Sequence, residues 1–285
     1  PHSPLDVYAQ YRFLDPTIFG TNFHRFKTRY AIFDKLPNGG EIVRSYINMD
    51  ELHEKMYSIA YRVTKEDIQD ILNLPDAVHV QRYCELSNKA TRLYRQMEDD
   101  FYADVESGEV TATNALTRLL RLQQMTSGFV RTDEGEDVQI DTSKEELLSD
   151  ILEDIDVKTP VVVFARFQHD LDTIRRVAEK QGRKYAELSG RMSTLKEWQE
   201  GQYDLIGVQL QAGGVGIDLT RANIAIYYSM GFNMGDYEQS LARIHRPGQT
   251  KKCTYIHLIA ERTVDEKVYN ALSQRKNVVE SVLRG

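Results

Sequence analysis

Cysteine is scarce in this sequence: of 285 residues only Cys84 and Cys253 are cysteines. They lie far apart, without the paired Cys and His spacing of a zinc site, so neither a metal centre nor a disulfide framework is expected and both read as ordinary thiols. Long apolar runs are missing too. None approaches the ~20 residues that a membrane-spanning helix needs, and Pro1-His2-Ser3-Pro4 has neither the basic nor the apolar stretch of a signal peptide. A cytosolic or nuclear home follows, with no membrane partner. Net positive charge is lacking as well: the formal charge is -7, whereas nucleic-acid binders usually carry a basic footprint.

The distribution of charge qualifies that last exclusion. Acid concentrates between Arg131 and Pro160, and the tail from Arg243 onward is basic, with Arg243, Arg246, Lys251, Lys252, Arg262 and Lys267 among its cations. A local anion-binding surface and two solvated faces of opposite sign both fit this pattern.

What is present, with 41% hydrophobic content, suffices for a full α/β domain and a smaller helical unit. Two regimes meet near Asp141. Residues 1–140 read as mainly helical: a helix over Glu51–Tyr57 with Asp50 as N-cap, another capped by Ser87, and a third over Thr113–Met125 stopping before Ser127-Gly128. Val78–Leu86 alternates as a strand, and the acidic segment around Gly135 reads as a surface loop. Phe13, Phe19, Phe23, Phe26 and Tyr30 are expected to pack within this region, and Trp198 to be core.

Over residues 141–285 the pattern alternates. Ser143 is expected to cap a helix through Ile155. Strands follow at Val161–Phe164, Lys184–Leu188, Tyr203–Val208, Asn223–Tyr228 and Thr254–Ile259, with helices at His169–Gln181, Ser193–Glu200, Asp236–His245 and Val264–Lys276. This predicts a parallel sheet covered by helices, with its site in the loops at the carboxyl ends of the strands.

Two segments carry chemistry. In Tyr237–Gln249, Gln239, Arg243 and Arg246 stand at i, i+4 and i+7, on one face of a helix stopped by Pro247-Gly248. Guanidinium groups form forked hydrogen bonds to phosphate oxygens; the same spacing also serves arginines that pair with surface carboxylates. His245 between them reads as a packed or capping residue. The second segment, Gln209–Thr220, follows a strand, and its glycines let backbone amides approach a ligand or simply make a tight turn. Asp218 could accept from a ribose or hold an arginine.

Together, QAGGVGIDLT and QSLARIHRPGQ resemble motifs V and VI of the Swi/Snf-like family of superfamily-two helicases. VVVFARFQHDLDTI is similar to motif IV, AELSG to the strand and turn that follow, TVDEKVYNAL to the helix after motif VI, and the opening PHSPLDVYAQYRFLDPTIFG to the segment past motif III. The resemblance covers essentially the whole chain. It implies a RecA-like second lobe over 141–285, preceded over 1–140 by a helical linking and protrusion region. It assigns Arg243 and Arg246 to the ATP phosphates as arginine fingers, with Gln239, Gly214, Gly216 and Asp218 organising the cleft. It assigns Arg166, Phe167, Ser189, Gly190, Gln209, Gln211, Ala212 and Gly213 to DNA. Where many relatives have Ser or Thr and a basic residue before the glycines, Gln209, Leu210 and Gln211 stand here and bring no charge.

No G-x-x-x-x-G-K-[ST] and no Asp-Glu-x-His box occurs, so the groups that hold the β/γ-phosphates and Mg2+ are expected on an upstream RecA-like lobe. Alone, the chain is expected to be an inactive piece of a monomeric, double-stranded-DNA-dependent ATPase that uses ATP and Mg2+. A strand-separating helicase on DNA or RNA and a non-catalytic module with the motor fold are the alternatives. The short lobe points to the cytoplasm of a bacterial or virus-infected cell, or to the nucleus in a eukaryote.

Overall fold

The computed structural model describes residues 3–35, 39–63, 74–107, 112–132, 134–212, 216–231 and 233–283. Contacts divide them into two units: Pro1–Leu72 with Gln274–Gly285, and Asn73–Ser273.

The first unit contains α1 (Val7–Leu14), α2 (Pro16–Phe19), α3 (Phe23–Tyr30), β1 (Ala31–Lys35), β2 (Glu41–Tyr46) and α4 (Met49–Tyr57). Val7, Tyr8, Tyr11, Phe26, Tyr30 and Leu52 form its core. Phe26 and Tyr30 pack as expected, but Phe13 is 89% exposed. The antiparallel β1–β2 hairpin was not foreseen in the mainly helical reading. Its cause lies in the sequence: the β-formers Ile32-Phe33 and Ile42-Val43 stand on either side of a Pro- and Gly-containing stretch. Asn48, not Asp50, precedes α4. It sits in the left-handed region at φ 54°, and its side-chain amide donates to the Arg29 carbonyl at 2.8 Å, a conformation Asn tolerates better than most residues.

The second unit opens with β3 (Ala77–Cys84), α5 (Asn88–Ser107), α6 (Ala112–Thr126), β4 (Phe129–Arg131) and β5 (Asp137–Gln139). The alternation then runs α7 (Ser143–Glu153), β6 (Val161–Ala165), α8 (Gln168–Lys180), β7 (Tyr185–Leu188), α9 (Leu195–Gln199) and β8 (Leu205–Gln209). It ends with β9 (Ile224–Tyr227), α10 (Met234–Ile244), β10 (Cys253–Ala260) and the first part of α11 (Val264–Leu283), whose residues from Gln274 on belong to the first unit. Six strands form one sheet in the order β3-β10-β9-β6-β8-β7, every pair parallel.

Helices cover both faces, as a continuous apolar strand requires. Val162 and Phe164 face a core with Trp198, Tyr94, Leu122 and Tyr237. Their neighbours Val161, Val163 and Ala165 face Leu148, Leu171 and Ile174 of α7 and α8. The two-residue period of a strand thus distributes one apolar run between two cores. Trp198 is fully buried.

Contacts divide the chain at Leu72/Asn73. The strand foreseen inside the helical region is an edge of the main sheet, paired from Ala77↔Cys253 to Cys84↔Ala260. Ser87 caps α5 as expected, its hydroxyl accepting from Ala90 N at 3.3 Å. Ser143 does not cap α7. Instead the Asp141 carboxylate accepts from Ser143 N at 3.0 Å and from Ser87 N at 2.9 Å, serving two elements at once. The acidic Gly135 segment is a surface loop as expected, and it joins the antiparallel strands β4 and β5.

Candidate nucleotide and DNA site

The loops carrying Arg166, Ser189 and Gln209 lie at the carboxyl ends of β6, β7 and β8 as expected, whereas the arginine turn after α10 lies at the opposite edge, beside Pro75 and Ala222, which precede β3 and β9. After β8 the chain makes a tight turn, with Ala212 N donating to Gln209 O at 2.9 Å. Gly213 and Gly214 lie outside the described residues. Gly216 has φ +100° and open space where a Cβ would stand, so backbone conformation is what requires glycine there. Asp218 accepts from Thr220 N at 2.8 Å and Thr220 Oγ1 at 2.7 Å. Burial pushes its carboxyl pKa up, but these bonds and the nearby Arg246 charge outweigh it and hold the group below its ordinary value.

The loop is fixed to the arginine segment at two points. Leu219 N donates to the Arg243 carbonyl at 3.0 Å, and Arg246 Nη1 donates to the Ile217 carbonyl at 3.4 Å. Arg243, Arg246 and Asp218 are therefore gathered in one place. Gln239 lies one turn earlier on α10 and is exposed.

The helix does not extend to Arg246. It ends at Ile244, with His245 at φ -88° and ψ 80°, and Arg246, which precedes Pro247, is itself disfavoured in the helical region. Arg246 consequently reaches the loop from the turn after the helix rather than from its face. His245 is the capping residue, and its Nε2 donates to Pro75 O at 2.7 Å.

Gln249, to which its motif position alone gives no role, locks this corner. Its Nε2 donates to Ala222 O at 2.9 Å and to Thr220 O at 3.2 Å, and its Oε1 accepts from Lys251 N at 3.0 Å.

Several of the residues expected to face DNA are also brought together. Gln209 Nε2 donates to Arg166 O at 3.4 Å, and Gln209 Oε1 accepts from Gly190 N at 3.4 Å. Its carboxamide thus spans the loops after β6 and β7 instead of standing free. The Ser189 hydroxyl is likewise engaged: it donates to Glu187 Oε1 at 2.6 Å. Glu187 is fully buried and paired with Arg175 at 2.8 Å and Arg191 at 2.7 Å. The Arg166 guanidinium lies 5.4 Å from the Phe167 ring. Its burial lowers its pKa, with Asp170 opposing. Arg166, Phe167, Gln209 and Gln211 line a cavity of about 470 Å³, while Ala212 lies on the adjoining turn.

Beneath this loop lies Asp170, which sequence reasoning did not single out. It is fully buried and accepts from Phe167 N at 3.3 Å and from the Ser229 hydroxyl; that hydroxyl in turn accepts from Arg166 N at 2.8 Å. Burial pushes its carboxyl pKa up to about 7, against the Ser229 hydrogen bond and the Lys144 charge. An acid at the third position of α8 was the available signal. Among the described residues no group of three or more His, Cys, Asp or Glu could hold a metal ion.

Residues 143–248 match the helicase conserved C-terminal domain. The ATP-dependent helicase MG018 of Mycoplasma genitalium is 25% identical over 98% of this chain and 26% of its own length. Chromodomain-helicase-DNA-binding protein 1-like of Danio rerio is 23% identical over 98% of this chain and 28% of its own. The chain thus spans about a quarter of the length of these relatives.

Among solved structures, the Sulfolobus solfataricus SWI2/SNF2 ATPase core in complex with dsDNA is similar with TM-score 0.58, 23% identity, and coverage of 98% of this chain and 59% of that one. The C-terminal domain of that ATPase gives 0.53 at 20% identity, covering 73% and 90%. The chain is thus similar over residues 143–248 to the helicase conserved C-terminal domain, and its fold is that of the C-terminal, RecA-like lobe of a SWI2/SNF2 ATPase.

Proposed function

We propose that this chain is the second motor lobe of a DNA-dependent ATPase that couples ATP hydrolysis to translocation along double-stranded DNA. The observation that carries this reading is the attachment of Arg243 and Arg246 to the glycine-bearing loop through Leu219 and Ile217. Two arginines fixed to one loop, Arg243 by its backbone and Arg246 by its guanidinium, suit the charge that develops on a transferring phosphoryl group.

ATP supplies that group when bound. In this chain Arg243 and Arg246 would meet its γ-phosphate, and Asp218 and Gln249 would keep the loop and the arginine turn in register. The described residues offer no acidic cluster for Mg2+, so the ion and the remaining phosphates are assigned to an upstream lobe, and the chain alone is expected to be inactive. Arg166 and the loops tied by Gln209 would follow one strand of the duplex; the Sulfolobus core of like fold was solved on dsDNA, which supports this choice of track.

The test is ATP turnover by the full-length protein with and without duplex DNA, beside this chain alone. Stimulation by duplex that requires the upstream half is expected. Turnover in neither sample would favour a non-catalytic module, and unwinding of a forked duplex without triplex displacement would favour a strand-separating helicase.

A further inference from the structure

The cavity beside Arg166 has a wall that lies outside the matched helicase segment. It is formed by the end of α6 and the β4–β5 hairpin, which contribute Gln124, Phe129, Arg131 and Asp137. The hairpin is seated firmly. Phe129 is 1% exposed, and its ring stacks 4.2 Å from His169 and meets Phe167 edge-on at 5.5 Å. Gly128 O accepts from Ile140 N at 2.8 Å and from Asp141 N at 3.1 Å, closing the hairpin's base. Phe129 and Arg131 stand two residues apart on one strand, hence on the same side of it, and that side faces the Arg166–Phe167 loop.

We propose that Arg131 is a phosphate ligand for nucleic acid, so that the hairpin forms a second wall of the DNA-binding site opposite Arg166; this inference rests on the DNA reading given above. Asp137 holds the Arg131 fork, accepting Nε at 2.7 Å and Nη2 at 2.9 Å. Nη1 makes no hydrogen bond with a described residue and stays available. A fixed fork loses less conformational entropy when an anion arrives than a free side chain would. An exposed pair of this kind contributes little to stability by itself, and the Arg131 side chain is 51% exposed.

One further feature of the cavity fits an anionic guest: Arg166 is half-buried and forms no ion pair among the described residues. Of the cations in the acidic stretch, Lys144 is buried against Asp265 at 2.5 Å and Lys158 lies near Asp204 at 3.4 Å; Arg131 alone of the three lines the cavity.

The experiment is fluorescence anisotropy of this chain on a labelled duplex across a series of salt concentrations, with Arg131→Ala, Arg131→Lys and Arg166→Ala. Arg131→Ala is expected to weaken binding about tenfold, the size of one charge-assisted contact. It should also lower the slope of log affinity against log salt by about 1, whatever the DNA sequence. Arg131→Lys should keep the slope while losing part of the affinity. Weaker binding with an unchanged slope would overturn the proposal, since Arg131 would then only shape the hairpin. An Arg131→Ala variant that binds like the parent while Arg166→Ala weakens would overturn it and leave the DNA reading intact. No binding of duplex by the parent chain would remove both.

Discussion

The amide of Leu219 donates to the carbonyl of Arg243 at 3.0 Å. This bond joins the loop after β8 to the last turn of α10, so a movement of either is carried to the other. Since Arg246 also binds the loop through Ile217, the arginine turn and the loop form one corner of the site.

If that corner stabilises a transferring phosphoryl group, Arg246→Ala and Arg243→Ala should each lower ATP turnover of the full-length enzyme by about 10³-fold or more, with far less effect on ATP binding. Lysine should rescue neither, because an ammonium does not reproduce the planar fork. Steady-state turnover beside equilibrium nucleotide binding separates the two effects, and an unchanged rate for Arg246→Ala removes the assignment.

Gln249 tests the same corner from the side of stability. It is 6% exposed, and its amide serves the carbonyls of Thr220, Ala222 and Ile244. Gln249→Leu keeps the bulk but leaves those carbonyls without their donor, at a cost of about 1–3 kcal/mol. The urea midpoint should fall accordingly, and turnover of the full-length enzyme should fall further than the stability loss explains, because the turn that carries Arg246 is loosened.

The sheet and the arginine-bearing segment were legible because they rest on local signals. Val161–Phe164 is a continuous apolar run that only a strand buried on both faces satisfies, and the helix over Asp236–His245 is bounded by Asn233 and Pro247. What was not legible depended on long-range partners. Ala77–Cys84 reads as a strand in isolation, but nothing local says that it pairs with β10, some 170 residues away. Asp50 and Ser143 are good capping residues by type, yet Asn48 and Thr142 precede the two helices; Asn48 binds Arg29 O, and Asp141 reaches Ser143 N and the distant Ser87 N. Gln209 looked like a free donor to DNA; its partners Arg166 and Gly190 come from loops that only the folded sheet brings beside it.

Gly207 in β8 is required by space rather than by backbone conformation. A Cβ there would collide with the Tyr185 hydroxyl and stand 3.1 Å from Leu171 Cδ2. Gly207→Ala should therefore destabilise the chain by about 1–3 kcal/mol through overpacking. Tyr185→Phe removes the colliding hydroxyl, so the double variant should lose less than the sum of the two single ones in chemical denaturation.

Two buried groups should oppose each other in the pH dependence of stability. His257 is fully buried, and burial, with His79 nearby, pushes its pKa down to about 3. The unfolded chain, with an imidazole near pH 6.5, binds the proton better, so this group's contribution is present above about pH 6.5 and lost as pH falls toward 3. Asp170 behaves inversely. Its folded pKa of about 7 lies above that of an unfolded aspartate, so its contribution is full below about pH 4 and is lost as pH rises through 7.

Between about pH 4 and 6.5 the two slopes, each at most about 1.4 kcal/mol per pH unit, have opposite signs. Relative to the parent chain at each pH, His257→Gln should become more stable as pH falls through this window, and Asp170→Asn less stable. Urea unfolding of the three proteins at half-unit pH steps reads both differences directly, and groups common to all three cancel. Two flat differences would mean that neither buried group titrates as its surroundings dictate.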